Sequence, residues 1–215
     1  MPEHRPRRFD LIAFDWDGTL FDSTALIARS IQNACRDIGA PVPDDQRAGY
    51  VIGLGLRDAL EYAVPGLTPE RYPELGARYR HHYLASQHEL SLFPGTIEML
   101  QALKARHHFL TVATGKNRRG LDDVLAMTEL RGLFDGSRTA DETFSKPHPR
   151  MLQELMAEFG ADPERTLMIG DTTHDLQLAA NAGTARVGVA YGAHDHEAFA
   201  EFEPLFVAHS TRELH

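Results

Sequence analysis

Apolar residues along the chain follow two periods, and the switch between them predicts the elements. The first run, Phe9-Asp10-Leu11-Ile12-Ala13-Phe14, is short and mostly apolar and stops at Asp15-Trp16-Asp17-Gly18, which predicts a buried strand ending in a turn. From Ser23 the period becomes helical. Ile27, Ile31, Ala34, Cys35 and Ile38 share one face of a helix predicted over 24–38, with Ser23 as N-cap and Gly39 as stop. Further helices are predicted at 44–51, 57–64 and 69–90, punctuated by Gly53, Gly55, Pro65-Gly66 and Pro69, and no strand pattern occurs between residues 21 and 92.

From Pro94-Gly95 onward the two periods alternate: helix 96–106, strand 109–113, helix to Met127, strand 134–138, helix 150–159, strand 166–169, helix 173–182 closed by Gly183, and strand 186–189. Alternation of this kind implies an α/β core with a mostly parallel sheet between two helical layers. The helical block wedged into it predicts a small second domain over 21–92, inserted into a core made of 1–20 and 93–215, with hinges near Phe21–Ser23 and Leu92–Gly95. Residues 192–215 carry no readable period.

Composition narrows the class. With 42% hydrophobic and 25% charged residues, the 215-residue chain is an ordinary globular protein with enough length for a generous core. Its net charge of −9 argues against nucleic acid or an anionic membrane as partner. No 18-residue apolar run is present, and the basic Met1–Arg8 stretch is a short tail without the apolar segment of a signal peptide. The single cysteine, Cys35, excludes an internal disulfide and fits a reducing, cytoplasmic setting; its place on an apolar helical stripe predicts a core thiol.

The candidate chemistry lies at strand ends. Asp15 and Asp17 leave the first strand pointing the same way, and like charges that close call for a cation or a shared proton. Thr114 ends the second strand, Asp171 the strand at 166–169, and Asp175 follows at the start of a helix, while Pro147 and Pro149 stiffen the loop bearing Lys146. In one parallel sheet all of these meet at one edge, where ligands of such folds bind. A carboxylate is ionised at neutral pH, so Asp15 can attack phosphorus without a base to activate it. Asp15, Asp171 and the Asp17 carbonyl form an oxygen-rich set suited to Mg²⁺. Lys146 and Thr114, with backbone N–H groups at Gly18 and Gly115, can hold phosphoryl oxygens. Asp17 can protonate the leaving oxygen and then deprotonate water. Asp175 is placed behind these groups, orienting a metal-bound water or Lys146.

Asp15-Trp16-Asp17-Gly18-Thr19, Thr114, Lys146-Pro147 and Gly170-Asp171-Thr172-Thr173-His174-Asp175 resemble, in order, the four motifs of the haloacid dehalogenase-like superfamily. The resemblance spans residues 9–20 and 93–190. It implies a Rossmann-like doubly wound core and, with the insertion after the first motif, a subclass I α-helical cap domain. Within the superfamily the chain is most similar to the phosphoglycolate phosphatase group, through Ile52-Gly53-Leu54-Gly55 and Phe93-Pro94-Gly95. That similarity implies a Mg²⁺-dependent phosphatase acting through an aspartyl-phosphate on a small phosphorylated metabolite, phosphoglycolate being the first candidate. Dehalogenases of this superfamily typically lack the second Asp, and phosphonatases use a cap Lys, whereas residues 21–92 contain no Lys. Mutases of the β-phosphoglucomutase type usually carry Arg directly after the small-residue loop, where this chain has Leu56 before Arg57. A phosphosugar mutase or pyrophosphatase of the same fold is the alternative, with a non-catalytic phospho-acceptor switch further off.

Several positions have two readings. Gly53, Leu54 and Gly55 are expected in a substrate-facing cap loop rather than a dinucleotide fingerprint, since no strand precedes them. Lys116 is either a phosphate ligand or a solvated helix-start residue. Arg57 either reaches a substrate carboxylate or sits on a helix face, the second being preferred. The pairs His81-His82 and His107-His108 and the stretch His194-Asp195-His196 are expected at the surface.

Overall fold

The computed structural model describes residues 8–214, so the expected N-terminal tail lies, up to residue 7, outside the described residues. Six parallel strands form one sheet in the order β3-β2-β1-β4-β5-β6: β1 (Leu11–Phe14), β2 (Phe109–Thr114), β3 (Gly136–Thr139), β4 (Thr166–Gly170), β5 (Ala185–Val189) and β6 (Val207–Ala208). The chain runs outward from β1 to β2 and β3, then returns to the other flank of β1 with β4. That reversal of direction opens a crevice at the carboxyl ends of β1, β2 and β4. Phe14 aligns with Val112 and with Ile169, so Asp15, the Ala113–Thr114 end and the Gly170–Asp171 end reach the same edge.

The two-residue period of β1 supplies both faces of the sheet. Ile12 and Phe14 pack with Leu110 and Val112 against Met99, Leu100 and Leu103 of α5 (Thr96–Ala105) and Leu121 of α6 (Arg118–Leu125). Leu11 and Ala13 face the opposite side, against Met151, Leu152 and Leu155 of α7 (Arg150–Phe159) and Leu178 of α8 (Thr173–Ala182). A separate cluster, with Ile27, Ile31, Cys35, Leu60 and Leu75 fully or nearly buried, joins α1 (Thr24–Asp37), α3 (Leu56–Ala63) and α4 (Tyr72–Ser86), while α2 (Asp45–Tyr50) packs on α1. Cys35 is a core thiol there, and burial raises its pKa. The chain crosses between this helical segment and the sheet twice, at Phe21 and Leu92, which form an antiparallel bridge; Asp22 N–H donates to Ser91 O and Phe93 N–H to Leu20 O, each at 3.0 Å.

Several boundaries differ from expectation for local reasons. The segment 69–90 is not one helix: a 3₁₀ turn (Pro69–Arg71) precedes α4 and another (Gln87–Glu89) follows it. Pro73 lacks an N–H and can sit only in the first turn, which sets the start of α4. The strand expected at 134–138 begins at Gly136 instead, because Asp135 ties to β2 through its carboxylate, which accepts from Leu110 N–H at 2.9 Å. The unreadable tail contains the 3₁₀ segments His196–Phe202 and Thr211–Leu214 around the two-residue edge strand β6. Among the described residues, no helix is long and apolar enough to cross a membrane.

Candidate active site

The first strand hands over to a tight loop anchored from below. Trp16, fully buried, packs against Phe21 and Phe134, and its carbonyl accepts from Leu20 and Phe21 N–H. With Trp16 pulled into the core, the side chains on either side of it, Asp15 and Asp17, turn to the open sheet edge. Gly18 adopts φ +87°, and a Cβ there would lie 2.1 Å from Asp171 Oδ2, so the loop closes onto the neighbouring strand end only with glycine at this position.

Asp15 is completely buried. Lys146 Nζ donates to its Oδ1 at 2.5 Å and lies 2.6 Å from Asp175 Oδ1. Asp15 Oδ2 is buried without a hydrogen-bond partner. Asp171 Oδ1 accepts from the Thr19 hydroxyl at 2.9 Å and its Oδ2 from Ala193 N–H at 2.7 Å. Asp175 closes a capping box with Thr172 at the start of α8, accepting from its N–H at 3.1 Å and its hydroxyl at 2.7 Å. Thr114, also buried, has its oxygen 3.2 Å from Lys116 N–H, from which it accepts.

Electrostatics distinguish this cluster from an ordinary ion pair. Burial pushes the Asp15 carboxyl well above its usual range; Lys146 opposes the shift, and the Asp175 and Asp171 charges add to it. Asp171 is pushed up to about 7, again chiefly by burial and then by Asp175. Burial works against the Lys146 ammonium, but Asp15 and Asp175 outweigh it and raise its pKa. Asp15, Asp171 and Asp175 bring carboxylate oxygens within 4.8 Å of one another, all in buried residues, with Lys146 the cation among them. Three ionised acids against one base would leave uncompensated negative charge in a dry site, which costs several kcal/mol per ion unless a cation enters or a proton is taken up. An all-oxygen donor set of buried carboxylates fits a hard divalent ion.

The remaining positions fall around this centre. The Asp17 side chain stands apart from the three carboxylates: its Oδ1 accepts from the Ser23 hydroxyl at 2.6 Å and lies 3.1 Å from Lys116 Nζ. Of the expected metal set, Asp15 and Asp171 therefore come together through their side chains, Asp175 joins them, and Asp17 has only its carbonyl to offer. Ser23 stands at the N-cap position of α1 without capping it, because its hydroxyl is turned to Asp17. The loop with Gly53, Leu54 and Gly55 roofs the site. A Cβ on Gly115 would meet Leu54 O at 2.3 Å and Gly53 O at 2.6 Å, and one on Gly53 would meet Thr172 Oγ1 at 3.3 Å. Gly55 N–H donates to Ser145 Oγ at 2.8 Å. A cavity of about 1100 Å³ extends from Asp17 and Lys116 beneath Leu54, Tyr79 and Tyr83.

Surface expectations are corrected at His108, which is buried with its Nδ1 2.8 Å from Phe9 O, and at His194, and one of the two readings of Lys116 falls. Lys116 is not a solvated helix-start residue; it is enclosed between Asp17 and Tyr83, since its stem runs back over the sheet edge rather than outward. His194 is not free at the surface: its Nδ1 accepts from Thr173 N–H at 3.1 Å, and its Nε2 shares the Tyr50 carbonyl with His174 Nε2, at 2.9 and 2.7 Å. Arg57 follows the preferred reading, exposed and paired with Glu61 at 2.8 Å. Tyr83 and Thr19 escaped the sequence reading. Thr19 is the last residue of the first motif and offered a signal, whereas Tyr83 had only the spacing of Tyr79 and Tyr83, four residues apart on one helix.

The family model of haloacid dehalogenase-like hydrolases matches residues 12–189. A phosphoglycolate phosphatase from Vibrio vulnificus is 35% identical over 95% of this chain and 93% of its own length, and the pyrophosphatase PpaX of Anoxybacillus flavithermus is 30% identical over 94% of each. Among solved structures, a predicted phosphoglycolate phosphatase from Haemophilus somnus superposes with a TM-score of 0.85 at 27% identity, covering 98% of both chains. With the family model spanning most of the chain and relatives of this identity over nearly its whole length, the chain belongs to the haloacid dehalogenase-like hydrolase family.

Proposed function

We propose that the protein is a Mg²⁺-dependent phosphomonoesterase that works through an aspartyl-phosphate on Asp15. The observation that carries this reading is the asymmetry of Asp15: Oδ1 is held by Lys146, while Oδ2 is buried with no partner among three crowded carboxylates. In this scheme Asp15 Oδ2 attacks phosphorus, the bond to the ester oxygen breaks with its electron pair, and Asp17 delivers a proton to that oxygen. Water then attacks the same phosphorus; Asp17 takes its proton, the bond to Asp15 breaks, and inorganic phosphate leaves. Lys146, the Thr114 hydroxyl and the N–H groups of Gly18 and Gly115 hold the phosphoryl oxygens as charge shifts. Asp175 keeps Lys146 aimed at Asp15. Asp15, Asp171 and the Asp17 carbonyl, with Asp175 beside them, would hold Mg²⁺, which would supply positive charge between nucleophile and phosphate.

Residues 21–92 are read as the cap and 1–20 with 93–215 as the core; the roof loop with Gly53, Leu54 and Gly55 excludes bulk water from the reacting phosphorus. The names of the relatives make phosphoglycolate the first candidate substrate, with pyrophosphate and hexose phosphates as the competing ones. The single buried cysteine fits a reducing, cytoplasmic compartment. A panel of phosphorylated metabolites, assayed with Mg²⁺ and with chelator, tests the scheme. Phosphate release is expected only with the ion, and Asp15→Asn is expected to lower kcat by about 10³-fold or more while leaving the melting curve cooperative. Retention of a tenth of the activity in that variant would sink Asp15 as nucleophile.

A further inference from the structure

Lys116 is a second lysine at this sheet edge, its side chain 10% exposed, and it does not face the carboxylate cluster. Its Nζ lies 3.1 Å from Asp17 Oδ1, donates to the Tyr83 hydroxyl at 3.0 Å and stands 4.8 Å from the centroid of the Tyr83 ring. Burial disfavours this ammonium, but Asp17, Tyr83 and Tyr79 outweigh it and keep it protonated. From the other side, the Ser23 hydroxyl donates to the same Asp17 oxygen at 2.6 Å. Both contacts fall on Oδ1, which leaves Oδ2 to carry the proton exchanged with the ester oxygen. Tyr83 belongs to α4, Lys116 follows the end of β2, and Ser23 lies where the chain crosses from sheet to helices.

We propose that Lys116 and Tyr83 are positioning residues that aim the Asp17 carboxyl at the leaving oxygen, so that Asp17 is correctly oriented only when α4 lies over the sheet edge. A lysine side chain has a flexible four-carbon stem, and by itself it does not hold one geometry. Tyr83 supplies what fixes it: a hydroxyl acceptor and a ring face for the cation. The contact chain from α4 through Tyr83 and Lys116 to Asp17 thereby makes proton delivery depend on α4, while Lys146 is held at Asp15 by Asp175, at the start of α8. This inference rests on the assignment of Asp17 as acid and base, and the experiment separates the two.

Phenyl phosphate and p-nitrophenyl phosphate have nearly the same shape, but only the phenolate of the first needs a proton to leave readily. Lys116→Met, Tyr83→Phe and Asp17→Asn are compared with the wild type on both esters, in steady state and in rapid mixing. For Lys116→Met the expectation is a loss of roughly tenfold or more in kcat on phenyl phosphate, part of the effect of a general acid. On p-nitrophenyl phosphate the same variant should release one equivalent of nitrophenolate in a burst and then turn over slowly, because the departing group needs no proton but the water step still needs Asp17. Tyr83→Phe, which keeps the ring, should show the same pattern more weakly. Equal losses on both esters without a burst, a rise in KM with kcat unchanged, or wild-type behaviour of both variants would overturn the inference. If Asp17→Asn is itself fully active on both esters, the reading of the site falls first and takes this one with it.

Discussion

At the scale of single residues, the site is governed by charges that burial makes expensive. Lys146 is the cation in contact with Asp15 and Asp175, with all three side chains at 1% exposure or less. Removing one partner of a buried pair leaves the other uncompensated, at a cost of about 3–5 kcal/mol. Lys146→Met is therefore expected to lower stability to urea by about that amount in chelator, with part of the loss recovered by Mg²⁺; an unchanged unfolding midpoint would mean that the acids simply take up protons. The residue types and their order were legible from the chain, since Asp15, Thr114 and Asp171 stand at the ends of apolar runs and Lys146 directly before Pro147. Lys116 was not, because nothing local tells a lysine that runs inward to Asp17 from one that runs out to water.

At the scale of elements, the roof over the site depends on backbone approaching backbone. Gly115 needs no special φ, yet a methyl group there would sit 2.3 Å from Leu54 O and 2.6 Å from Gly53 O. Gly115→Ala should thus leave β2 intact and displace the loop. The expected outcome is a melting temperature within a few degrees of wild type and a fall in kcat/KM of about tenfold or more, the scale of a misplaced positioning element. Wild-type kinetics would show that the loop does not approach Gly115 during turnover. The elements were readable where periods were long, as in α7 and α8, whose bounds match expectation. They were unreadable in the tail, because a two-residue edge strand such as β6 and 3₁₀ turns lack enough residues to show a period.

At the scale of the whole molecule, pH, metal and stability are linked. An unfolded Asp has a pKa near 3.9, while Asp171 in the folded protein is pushed up to about 7. The folded state then holds a proton that the unfolded chain has released, so this group contributes stability at low pH that is lost as pH rises through about 7. A cation reverses the sign, because ligation requires the proton to leave. The gain in melting temperature on adding Mg²⁺, measured against chelator at each pH, should accordingly grow as pH rises through about 7. The difference between the two arms cancels the opposing effect of His174 and His194, whose pKa values burial lowers. A gain independent of pH would count against the buried carboxylates as the metal site.

The sequence by itself determined the strand ends, the glycine-bearing turn after Asp15 and the identity of the groups brought to the edge, because period and turn chemistry are local properties. Which acid meets which base was decided only by tertiary structure. Asp15 and Lys146 are 131 positions apart, and Thr19 and Asp171 are 152 apart. The same holds for the enclosure of Lys116 by Tyr83, which needs α4 to fold over the end of β2. The two acids of the first motif are chemically alike in the chain. They part company in the fold, where Asp15 goes to Lys146 and the carboxylate cluster and Asp17 to Ser23 and Lys116, since only there do different neighbours surround them.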